Sequence, residues 1–332
     1  MSRSGPPFAV LALGTFILSA CAEGAPSTLD PAGPGARRVE SLWWPMLWIS
    51  VAVFAVVAVM MVFAVVRGRG RDYRLDKSHV RWGDPFIAVA GVFIPALILG
   101  AVFFLSLEEL NGLTRDGRDA NLTIEVVGRN WWWEARYPNG AVTANEIHIP
   151  AGEPVRLELE SADVIHSFWV PRLQVKTDHI PGTTNETWIE AERPGRFRGQ
   201  CAEFCGLQHA NMAFYVIAES PGDFVEWVER EAASATEDFS PTARAGEGIF
   251  MNAACVGCHT VRGTEADGEL GPDLTHLAAR DTIAAGTMSN TPENLELMIT
   301  DPQEAKPGIT MPPSEFDPAE LKALVAYLTE LE

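Results

Sequence analysis

The chain has 332 residues, 47% apolar and 21% charged, which excludes a disordered or collagen-like polypeptide. Its 25 basic and 44 acidic side chains give a net charge of −19, so the basic footprint of a nucleic-acid binder is missing. The long apolar runs fall before residue 108 and the remainder reads as soluble, which predicts a membrane protein with a soluble head.

Residues 1–21 combine Arg3, an apolar run from Phe8 to Leu18, and Leu18-Ser19-Ala20-Cys21. A charged start followed by an apolar core too short to cross a bilayer predicts a secretory signal peptide. The small-residue stretch ending in Cys resembles a bacterial lipobox, which makes Cys21 a lipidation candidate. A plain leader with an idle Cys is the alternative.

Two uncharged runs follow, Leu42–Val66 and Pro85–Leu107. Each exceeds the roughly 20 residues needed to cross ~30 Å of hydrocarbon. Trp43, Trp44 and Trp48 open the first run and Trp82 precedes the second, as interfacial aromatics do. The segment between them carries Arg67, Arg69, Arg71, Arg74, Lys77 and Arg81 against Asp72 and Asp76. Positive-inside logic puts this loop in the cytoplasm. The expectation is a transmembrane helix hairpin over 42–107 in a bacterial inner membrane, multi-pass, with 108–332 on the periplasmic side.

Residues 108–228 form the first external domain. Leu122, Ile124 and Val126 alternate with polar neighbours, as do Ile147 and Ile149, then Val155, Leu157 and Leu159. Turns at Pro150–Pro154 and Pro181–Thr183 complete the pattern of a small β-sandwich or barrel, with a helix near Pro221–Glu231. Its chemistry lies in Cys201-Ala-Glu-Phe-Cys205-Gly-Leu-Gln-His209-Ala-Asn-Met212, with His166 upstream. One Cys, two His and a weak Met would make a blue-copper site. A second Cys allows two bridging thiolates between two copper ions. A Cys201–Cys205 disulfide and a structural zinc on Cys2His2 are the competing readings.

Residues 229–243 have no apolar period and read as a linker. The second external domain, 244–332, opens with Cys255-Val-Gly-Cys258-His259, the signature of covalent c-type haem attachment. The two thiols add to the haem vinyl groups and His259 offers its imidazole to iron. Met288, Met298 and Met311 are the candidates for the sixth ligand. Met298 lies in a helical pattern that favours packing, and Met288 in a polar loop. Met311 lies in Gly308-Ile-Thr-Met311-Pro-Pro313, where prolines hold an extended loop, and is the expected ligand. His276 reads as a packing or hydrogen-bonding residue. Residues 244–332 carry 15 acidic and 5 basic side chains, a surface that attracts a basic donor.

On these motifs, residues 42–228 resemble subunit II of the haem–copper cytochrome c oxidases, and 244–332 resemble the fused cytochrome c domain of the caa-type. The resemblance implies a two-helix hairpin, a cupredoxin-like β-sandwich with a binuclear copper A centre, and an all-α cytochrome c domain. It implies His166, Cys201, Cys205, His209 and Met212 as copper ligands, with Glu203 binding through its carbonyl. The Glu203 side chain would reach toward a magnesium ion shared with subunit I. Gly128-Arg-Asn-Trp131-Trp132-Trp133-Glu134 resembles the family's aromatic stretch, with Asn130 and Trp132 where Gln and Tyr are usual. Trp131 would be the residue through which electrons reach copper.

The expected function is electron input to a terminal oxidase. Electrons would pass from cytochrome c or an upstream respiratory complex, through the haem and copper A, to subunit I. There oxygen reduction is coupled to proton translocation, which the uncharged spans of this chain assign to the partner. A nitrogen-oxide reductase subunit is one rival. A membrane-anchored copper-delivery module, which needs no covalent haem, is the other.

Overall fold

The computed structural model describes residues 26–69, 80–115 and 119–332. The leader, Cys21, most of the basic connecting loop and the Trp82 side chain lie outside the described residues.

Helix α1 (Pro34–Gly68) starts on a proline, whose missing N–H costs nothing in a first turn. The second apolar run forms α2 (Val80–Ala88), a π-turn over Val89–Phe93, and α3 (Ile94–Arg115). Pro95 accounts for the π-turn. Its ring would meet the carbonyl four residues back, at Gly91, and one wider turn relieves that clash. The most apolar window of each long helix is unburied, unlike the core helix of a soluble protein. Such faces are stable against lipid.

The outer ends of the two helices are tied together and to the β domain. Arg38 Nη1 lies 3.0 Å from Glu109 Oε2, and Ser41 donates to the same carboxylate. Ala36 N–H donates to Leu173 O at 2.9 Å, Arg37 pairs with Glu192, and the Trp188 indole donates to Leu113 O. Both ends therefore meet the β domain on one side, as a hairpin requires.

The β domain is a sandwich of two five-stranded sheets. One contains β1 (Leu122–Arg129), β2 (Trp132–Arg136), β3 (Val142–Ala144), β5 (Val155–Ser161) and β8 (Asn185–Ile189). The other contains β4 (Glu146–Pro150), β6 (His166–Trp169), β7 (Thr177–His179), β9 (Gly195–Cys201) and β10 (Ala213–Glu219). Parallel pairings of β1 with β5 and of β4 with β10 close the Greek-key-like arrangement around one core. The alternating residues predicted from sequence face inward: Ile124, Val126, Ile147, Ile149, Val155, Leu157 and Leu159 are fully buried. Helix α4 (Pro221–Glu231) packs Phe224 and Trp227 onto this core.

The second domain is all-helical apart from a short ribbon, β11 (Thr282–Ile283) and β12 (Met288–Ser289). Its helices are α5 (Pro241–Asn252), α6 (Pro292–Thr300), α7 (Pro302–Ala305) and α8 (Pro318–Thr329). Ser240 caps α5, and Asp317 with Glu320 forms a capping box on α8. Helices α5 and α8 cross at Gly246, where a Cβ would stand 1.9 Å from Ala323 O. Only hydrogen fits there, and Phe250, Leu324 and Tyr327 bury the seam. Helices α4 and α5 extend into the stretch read as a linker, which leaves residues 232–240 as the connection.

Gly246→Ala forces the α5–α8 crossing apart and should cost the second domain about 1–3 kcal/mol. Denaturant unfolding followed by circular dichroism checks this, and an unchanged midpoint would contradict the close crossing.

Candidate metal centres

Strand β9 ends on Cys201, and the loop from there to β10 returns Cys205, His209 and Met212 to the same point. Strand β6 pairs with β9 and brings His166 beside them. Cys201 Sγ lies 3.7 Å from Cys205 Sγ and 3.9 Å from His166 Nδ1. Cys205 Sγ lies 3.7 Å from His209 Nδ1 and 3.8 Å from Met212 Sδ. Glu203 O stands 3.2 Å from Cys201 Sγ. All six predicted residues are thus brought together around the two sulfurs, His166 and the Glu203 carbonyl against Cys201, and His209 and Met212 against Cys205. Both thiols are free, and their separation far exceeds the ~2.05 Å of a disulfide. Two sulfurs flanked by two imidazoles and a thioether fit soft metal better than a four-ligand zinc site, which has no use for Met212.

The surroundings hold these donors still. An Nε2–H of His166 donates to Asp163 Oδ1 at 2.7 Å, which leaves the Nδ1 lone pair facing Cys201. Asp163 also accepts from the Asn130 and Val164 amides. Burial alone would lift the Asp163 carboxyl, but these donors hold it below its ordinary value. Gly128 admits the His166 ring, since a Cβ there would lie 2.9 Å from Cδ2. Trp133, Phe168 and Phe214 pack around His166 and the neighbouring His179 and exclude water. The Cys205 thiol holds Cys201 far below a normal thiol value, and the Cys201 thiolate with burial pushes Cys205 up. A bound cation favours the thiolate form of both cysteines.

The three tryptophans separate into three roles. Trp131 donates its indole N–H to Cys205 O at 2.8 Å, directly against the donor loop. Trp133 is core. Trp132 packs against Ala144 and Ala285, the latter from the second domain. Glu203 is half-exposed, with its carboxylate 3.9 Å from Lys176 Nζ.

In the second domain, a 3₁₀ turn over Ala254–Gly257 sets Cys255 and Cys258 as free, half-buried thiols. His259 Nδ1 donates to Pro272 O at 2.8 Å, which directs Nε2 away from the backbone as an iron ligand needs. Burial lowers the His259 pKa and keeps the ring neutral. The 268–273 loop lies tight on the motif: a Cβ at Gly271 would meet the His259 ring at 2.5 Å. These residues fit a covalently attached haem. Met298 sits on α6 and Met288 on β12, both packed against the domain core, whereas Met311 is on an extended loop outside that packing. His276 donates to Ala233 O at 3.1 Å and ties the connection down. Sequence reasoning missed Asp163. Its place three residues before a candidate histidine, in a turn, was the available signal.

A profile described as "Cytochrome C oxidase subunit II, periplasmic domain" matches residues 140–219, and one described as "Cytochrome c" matches 243–332. Cytochrome c oxidase subunit 2 of Alkalihalophilus pseudofirmus is 34% identical over 348 residues, covering 99% of this chain and 98% of the relative. The Bacillus subtilis protein of the same name is 30% identical, covering 97% and 96%. The crystal structure of the periplasmic domain of subunit II of cytochrome oxidase (CoxB) of Bradyrhizobium japonicum is 35% identical, covering 35% of this chain and 96% of that one, with a TM-score of 0.34.

Asp163→Asn removes the charge behind His166 and should weaken copper binding roughly 10–100-fold. Chelator competition measures it, and parent affinity would show that Asp163 does not support the ligand.

Proposed function

We propose, on the premise that the chain belongs to the cytochrome c oxidase subunit 2 family, that its two external domains work in series to admit electrons to the oxidase. The chain is a membrane-anchored subunit with an extracytoplasmic domain, and its cofactors are copper A and a c-type haem. When bound, these groups supply one-electron carriage from a cytochrome-type donor toward subunit I, where oxygen is reduced. His166, Cys201, Cys205, His209 and Met212, with the Glu203 carbonyl, are the proposed copper ligands. Cys255 and Cys258 are the proposed haem attachment points, and His259 and Met311 the proposed iron ligands. The observation that carries this reading is the pair of buried free thiols with two imidazole Nδ1 atoms and a thioether each within 4 Å of one of the sulfurs.

Each protein group has a defined task. The Trp131 indole braces the donor loop from outside, and Trp133 with Phe168 and Phe214 keeps water from it. Met311 on its extended loop offers a neutral sulfur, which raises a haem potential as a carrier near oxygen requires. The Glu203 carboxylate, half-exposed beside Lys176, is the proposed contact to a magnesium ion shared with subunit I. The two helices cross a bacterial inner membrane, which places 108–332 in the periplasm. Their uncharged spans leave proton translocation to subunit I. A copper-delivery module would have no use for the Cys255-Val-Gly-Cys258-His259 motif.

Electron paramagnetic resonance of the purified oxidase tests the reading. The parent should show a seven-line copper hyperfine pattern beside low-spin haem, and Cys205→Ser should abolish that pattern while the haem signal persists. A four-line copper signal in the parent, or zinc found in its place, would overturn the binuclear assignment.

A further inference from the structure

The second domain lies directly on the face of the β domain that carries Trp131, and one buried cation sits in that contact. Lys306, at the end of α7, is 4% exposed. Its Nζ donates to Trp131 O at 2.9 Å across the interface and to Ala284 O at 3.0 Å within its own domain. Among the described residues it forms no ion pair with a carboxylate. Burying an ammonium against carbonyls alone is costly, and an apolar side chain would fill the space more cheaply. What the ammonium adds is direction.

The loops it joins are built for this contact. Ala284 and Ala285 have φ of 53° and 58°, a left-handed conformation that alanine adopts only when its surroundings impose it. That turn aims Ala284 O at Lys306 and Ala285 O at the Ala213 amide of the β domain, 3.1 Å away. On the other side, Gln208 Nε2 donates to Pro307 O at 2.5 Å. Gly308, at φ 91°, approaches Leu207 so closely that a Cβ would lie 2.8 Å from its Cδ1. Gln303 braces the loop through Gly308 N–H and Ile309 O. Three residues beyond Gly308 is Met311. A short rigid loop therefore connects the expected iron ligand to the Trp131 carbonyl, and the Trp131 indole reaches Cys205 O.

We propose that Lys306 is a positioning residue that registers the haem-bearing domain on the copper-bearing domain by joining the Ala284 and Trp131 carbonyls. It sets the separation across which the haem domain delivers electrons, through its contact with the Trp131 carbonyl. Burial lowers the Lys306 pKa to about 7, and the nearby Cys205 sulfur opposes that shift. The proposal rests on the electron-transfer function above.

The test uses the purified oxidase with Lys306→Met and Lys306→Gln. Photochemical injection of one electron into the haem gives the haem-to-copper transfer rate. Amide hydrogen exchange over residues 282–286 reads the docking contact independently of activity. In Lys306→Met, both cofactor spectra and the haem midpoint potential should match the parent, transfer should slow roughly tenfold or more, and exchange should quicken. Lys306→Gln, too short to join both carbonyls, should fall between. Parent rate and parent exchange in Lys306→Met would overturn the proposal. If the Met variant unfolds its domain, seen as fast exchange across Pro318–Thr329, the Gln variant decides, and parent values there overturn it equally. A parent enzyme without the seven-line copper signal would remove the underlying function instead, and the two failures are told apart by that spectrum.

Discussion

The loop from Cys201 to Met212 must hold two thiols 3.7 Å apart at a strand end, with an imidazole and a thioether against the second and His166 arriving from the next strand against the first. Uncompensated, such a cluster would be a knot of buried polar atoms, and the β domain is arranged to prevent that. Asp163 takes one nitrogen of His166, Gly128 clears room for its ring, and Trp131 takes the Cys205 carbonyl. The aromatic wall of Trp133, Phe168 and Phe214 then packs the donors in place. Fixed donors are what a fast one-electron centre needs, because little has to move when the charge changes.

The second constraint is the contact between the two external domains. Besides Lys306, Arg262 donates to Gly140 O and to Glu231 O, and Arg196 pairs with both Glu146 and Asp281. Glu146, almost fully buried, also accepts from Thr282. Tethering through residues 232–240 keeps the haem domain at high effective concentration over the copper domain, and these polar contacts select one orientation.

Much of this was legible in the sequence because its signals are local. The Cys-Cys-His-Met spacing occupies twelve residues, the haem motif five, and the alternating strands declare which face is core. The periodicity around Met298 likewise placed it on a helix, packed inward. What was not legible depends on chain segments that meet only after folding. Asp163 is defined by the direction of the His166 ring, and Lys306 by a partner 175 residues away. Trp132 stands in the sequence only as a replacement for the family's Tyr, and its contact with Ala285 of the other domain forms only on folding. The linker looked longer than it is because its polar residues give no period, yet Glu231 is buried at the end of α4, where burial pushes its pKa up to about 7.

The most direct measurement follows one electron placed on the haem of the purified oxidase at several dilutions. A relay inside one chain requires haem reoxidation and copper reduction to share a single first-order rate that dilution leaves unchanged. A transfer rate that falls in proportion to protein concentration would contradict it and would make the haem domain a donor to other molecules.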